Sequence, residues 1–154
     1  MLTMLACPVN TATFHYFWKA KHISMISPEI IRSYFEELHI VINTDHDGDV
    51  VIVQGADSDF GHDVCIYVRV INNRLSYMAA APGYAPEGDL YELANRNNCR
   101  RILPTAVVRG DTVYMECSFL LDEEVSKAYI VENCIKMVLH GIWQAFVQFE
   151  YPEE

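Results

Sequence analysis

The sequence predicts one α+β domain, an antiparallel sheet built from β-hairpins and packed against helices in the order α-β-β-β-β-α-β-β-α. Three observations predict it. The dipeptides Asp47-Gly48, Asn72-Asn73 and Gly110-Asp111 each separate two runs rich in β-branched and aromatic residues, and links that short allow only antiparallel pairing. Segments with apolar residues at helical spacing stand before, between and after these hairpins. The 154 residues suffice for one core and are too few for two ordinary domains.

Each element follows from local chemistry. Residues 1–24 hold the aromatics of "FHYFW" and then "KAKH" without a clear period. They are set apart as an N-terminal extension to which no structure is assigned, and the domain is placed at 25–154. In "SPEIIRSYFEELHI" Ser27 can cap a helix, Pro28 suits its first position, and Glu29 complements its positive end. Ile30, Ile31, Tyr34, Phe35 and Leu38 form its apolar face. "IVIN" and "VVIV" flank Asp47-Gly48, which reads as a two-residue hairpin turn. "DVCIYVRVI" and "RLSYMAAA" pair across Asn72-Asn73, residues that tolerate the left-handed backbone of a tight turn. After the loop "APGYAPEG", Asp89 and Glu92 make a capping-box-like helix start, and Arg96, Arg100 and Arg101 crowd the other end, where the dipole favours cations. Gly110-Asp111 turns a third hairpin.

"SKAYIVENCIKMVLHGIWQAFVQFE" reads as a long terminal helix. Glu132, Lys136, His140, Gln144 and Gln148 fall four apart with Asn133 beside them, and nearly everything else is apolar. That is more apolar circumference than one sheet covers. The surplus is either wrapped by other elements, such as Phe14, Tyr16, Phe17 and Trp18, or forms half of a subunit interface. Ile135, Leu139, Ile142, Trp143 and Phe146 are therefore the candidate protein interface of an expected homodimer.

Composition removes several function classes. The net charge is −10, which opposes binding to nucleic acid or anionic lipid, and no run is long enough to span a membrane. The five cysteines, Cys7, Cys65, Cys99, Cys117 and Cys134, have wide spacings and no C-x-x-C pair. They fit neither a disulfide framework nor a zinc site and read as the reduced thiols of a cytoplasmic protein. The aspartates of "TDHDGDVVIV" fail as a calcium loop. Counting from Asp45, position 6 is Val50 and position 12 is Ala56, where glycine and glutamate are needed. "DSDFGHD" reads as a polar connection. No catalytic residue, cofactor site or metal site is assigned. The alternative is a small metal-binding or enzymatic domain that uses exposed Asp and His groups.

The stretch from "ISPEIIRSYFEELHIVINTDHDGDVVI" to "VENCIKMVLHGIWQAF" resembles the bacterial YbjN family of sensory transduction regulators. A short first helix ending in a "D.DGD" hairpin, the cluster Asn95, Asn97 and Asn98, the hairpin from Val107 to Met115, and a last helix ending in aromatics carry the resemblance. It implies a fold like the type III secretion chaperones and a non-enzymatic role through an unidentified protein partner. It transfers no catalytic residue.

Overall fold

The computed structural model describes residues 26–55, 60–122 and 124–150. Residues 1–25, where the extension is expected, and 56–59 of the polar connection lie outside the described residues. Helix α1 spans Pro28–Glu37, and Ser27 caps it by accepting from the Ile30 N–H at 3.4 Å. Strands β1 (Asn43–Thr44), β2 (Val50–Gln54), β3 (Val64–Ile71) and β4 (Arg74–Ala80) follow. Helix α2 (Leu90–Arg100) precedes β5 (Thr105–Arg109) and β6 (Thr112–Leu120). The terminal helix, α3, passes from Lys127–Tyr129 through Ile130–Lys136 into Met137–Glu150. The strands form one antiparallel sheet in the order β1-β2-β3-β4-β6-β5.

Two of the hairpins are as expected. Ile71 pairs with Arg74 across Asn72 and Asn73, both at positive φ (49° and 61°), as a primed turn requires. Arg109 pairs with Thr112 across Gly110 and Asp111. The first hairpin is wider than the expected two-residue turn. Gly48 sits at φ +87°, its N–H donates to the Asp45 carbonyl at 3.2 Å, and the Asp45 N–H donates to the Asp49 carbonyl at 3.1 Å. This is a three-residue loop closed by a left-handed glycine. Asp45 causes it. Its Oδ1 accepts from the N–H groups of Asp47 (3.0 Å) and Asp49 (2.9 Å), a side-chain bond that holds the loop open by one residue.

One sheet face carries the core. Val50, Ile66, Leu75, Tyr77, Val113 and Met115 are buried and alternate along their strands with less buried residues, the period-two pattern of a half-covered sheet. Ile31 and Phe35 of α1 and the inner side of α3 cover this face. Ile135, Ile142 and Phe146 are fully buried, Trp143 is 7% exposed, and Leu139 is half-buried against them. These five side chains thus face the core of their own chain. Phe60 supplies part of the cover, with its ring 5.8 Å from Trp143 and 5.6 Å from Phe146. Tyr84 packs edge-on against Phe60 at 4.8 Å. The segment expected to be only a polar connection therefore inserts Phe60 into the core.

Helix α2 closes one edge of the sheet. The two-residue loop makes Arg109 and Thr112 a bonded pair, so the Ala106 N–H and carbonyl point outward from β5. Asn98 meets both: its Oδ1 accepts from the Ala106 N–H at 2.7 Å and its Nδ2 donates to the Ala106 carbonyl at 2.9 Å. A side-chain amide thus stands where another strand would pair. We expect Asn98→Ala to cost roughly 1–3 kcal/mol in a urea titration, because it orphans two backbone groups at once.

Cys65, Cys99, Cys117 and Cys134 are free thiols. Burial, with the nearby Cys134, pushes the Cys117 thiol up to about 12, and burial pushes Cys134 up to about 11. Both stay protonated in the folded chain while the unfolded thiols ionise near the ordinary value, about 8.5. Their contribution is complete below about pH 8.5 and is lost as the pH rises through 11 to 12. Stability should fall above pH 8.5 by on the order of 1 kcal/mol per pH unit for each thiol. Urea titrations at several pH values should show a smaller decline in Cys117→Ala.

Candidate functional site: the uncovered sheet face

Among the described residues no helix lies over the other face of the sheet. Alternation sends Tyr67 and Arg69 of β3, Ser76 and Met78 of β4, Glu116 and Ser118 of β6, and Thr105 and Val107 of β5 to this side. With Asp45, Asp49, Arg74 and Leu103 they line a hollow of about 650 Å³. Val53, Tyr67, Ile71 and Leu120 are exposed apolar side chains. A sheet surface of this kind offers flat apolar contact with polar groups at fixed spacing.

The charges here are arranged in pairs. The Arg69 Nε donates to Asp49 Oδ2 at 2.6 Å, and this bond and charge raise the Arg69 pKa further. Arg109 pairs with Glu116 at 2.6 Å and lies over the Tyr114 ring at 5.2 Å. Arg74 Nη1 donates to the Ser118 hydroxyl at 3.3 Å. Three guanidinium groups on this face (Arg69, Arg74, Arg109) equal in number its three carboxylates (Asp45, Asp49, Glu116), two of them as ion pairs, so these side chains balance on a chain of net charge −10.

The hairpin tip holds a separate group. Ligand-type atoms of Asp45, His46 and Asp47 lie within 4.8 Å of one another, the single such cluster among the described residues. His46 Nε2 and Asp47 Oδ1 are 3.3 Å apart on largely exposed side chains. One Asp45 oxygen is already engaged by two backbone N–H groups, so this carboxylate shapes the turn. Of the five helix residues expected at an interface, Ile135, Ile142, Trp143 and Phe146 are buried behind the sheet and Leu139 is half-buried against the same core. The hollow escaped the sequence reading. Its signal was the large or polar residue at every second position, Tyr67 and Arg69, Ser76 and Met78, Glu116 and Ser118.

Among the described residues no helix is long and apolar enough to cross a membrane. The sequence profile of the YbjN family, described as "Putative bacterial sensory transduction regulator", matches residues 27–136. No curated protein matches the chain. A crystal structure of YbjN, "a putative transcription regulator from E. coli", shares the fold, with a TM-score of 0.61 at 12% identity over 80% of this chain and 91% of that one. The match reaches from the Ser27 cap through all three hairpins to the end of the Ile130–Lys136 stretch, and the chain belongs to the YbjN family, whose description is that of a regulator.

Proposed function

We propose that this chain is a non-catalytic, cytoplasmic regulator that acts by binding protein and shares the chaperone-like character that the family resemblance implies. The uncovered sheet face carries this reading. It presents Tyr67, Met78 and Val107 beside ion pairs, in a hollow of about 650 Å³. Its balanced side-chain charges set it apart from the acidic remainder of the chain, so a protein segment can approach it without strong long-range repulsion. The same net charge opposes direct contact with DNA phosphates. A transcriptional role like the one named for the E. coli protein would then run through a protein partner.

A homodimer belongs to this proposal. Trp143 and Phe146 are occupied in the core, which leaves exposed apolar residues such as Ile102 and Met137 for a second copy. In-cell crosslinking in the native host tests both parts. A photo-crosslinking amino acid at Tyr67 or Met78 should give a defined protein adduct that Val107→Glu weakens. The same group at Met137 should capture a second copy of the chain, and at Glu36 on α1 it should give neither. Equal labelling from Tyr67 and Glu36 would refute the open-face reading.

A further inference from the structure

Helix α3 is wound in two ways. Upstream, the Ile130 N–H donates to the Ser126 carbonyl at 3.1 Å, four residues back. The stretch Ile130–Lys136 is π-wound, and at its end the Met137 N–H donates to the Glu132 carbonyl, five residues back. Met137–Glu150 is α-helical again. Such a stretch holds one residue more than an α-helix between the same ends, and π-winding of this length is rare. Irregular helix geometry has an identifiable local cause, and proline and glycine–serine pairs are common ones. "IVENCIK" contains none of those residues. Within this stretch the Tyr77 hydroxyl, from β4, donates to the Cys134 carbonyl at 2.5 Å with both residues buried.

We infer that α3 is a two-register helix whose π register is pinned by the Tyr77 hydroxyl. Without the pin the stretch returns to bonds four residues apart. The upstream turn then moves about 1.5 Å along the axis and rotates by roughly 100° relative to the part fixed by Ile142 and Phe146. That turn carries Lys127, which pairs with Glu37 at 2.6 Å and lies over the Tyr34 ring at 4.9 Å. With Leu38, Ala128 and Val131 these residues border a groove of about 440 Å³ between α1 and α3. The register therefore sets the shape of this groove, and one buried bond between the sheet and the helix layer sets the register.

Tyr77→Phe in the full chain tests this, read by hydrogen exchange. The amides of Cys134–Met137 should exchange up to about tenfold faster, the range of one buried hydrogen bond. The coupling between Lys127 and Glu37 in a double-mutant cycle should disappear. Unchanged exchange with that coupling intact would overturn the inference. Deletion of Asn133, which removes the extra residue, supplies the second test. It should fold with a continuous α-helix, and Tyr77→Phe in that background should change the exchange less than twofold. A deletion variant that does not fold, or one as sensitive to Tyr77→Phe as the parent chain, would also overturn it.

Discussion

The structure depends on a sheet that has only one apolar face. Leu75, Ile66 and Met115 project to one side and must be kept from water, and α3 is the element long and apolar enough to do so. Tyr77 is the polar exception on this face. A hydroxyl buried there needs an acceptor, and it takes the Cys134 carbonyl of the covering helix. Packing and hydrogen bonding thus fix the same pair of elements against each other. The remaining face carries the functional reading because, among the described residues, α1 and α3 cover the first face and α2 stands at the sheet edge.

Much of the fold was legible because its signals are local. Asn72-Asn73 specifies its turn through two residues that accept positive φ. Ser27 and Asp89 mark helix starts by bonding N–H groups within three residues of themselves. The first hairpin was misread by one residue because Asp47-Gly48 was weighed alone, whereas the Asp45 carboxylate decides the loop by accepting two backbone bonds. The π-winding of Ile130–Lys136 was not legible at all. Apolar spacings of four and five look alike in sequence, and the partner, Tyr77, lies 57 residues from Cys134.

The site shows the same division. The apolar excess of α3 is plain from its residues, and what covers it is not. Phe60 stands alone in a polar string without any period, and Tyr84 sits in a loop rich in proline and glycine. Only folding brings their rings against Phe146. Conversely, the alternation of Tyr67 and Arg69, or Ser76 and Met78, was visible, but whether a strand's outer face meets a helix or solvent depends on where nonlocal elements settle. The ion pairs Arg69–Asp49 and Arg109–Glu116 balance charge on that face, and each joins positions on different strands or at a strand's end.

The most direct measurement is oxidative footprinting of the purified chain, because the central claim is that one face of the sheet is covered by the helices of the same chain and the other is open. Hydroxyl radicals should modify Tyr67 and Met78 readily in the folded protein. Met115 and Tyr77, on the covered face, should react only after urea unfolds it. Protection of Tyr67 and Met78 equal to that of Met115 in the folded chain would contradict the account.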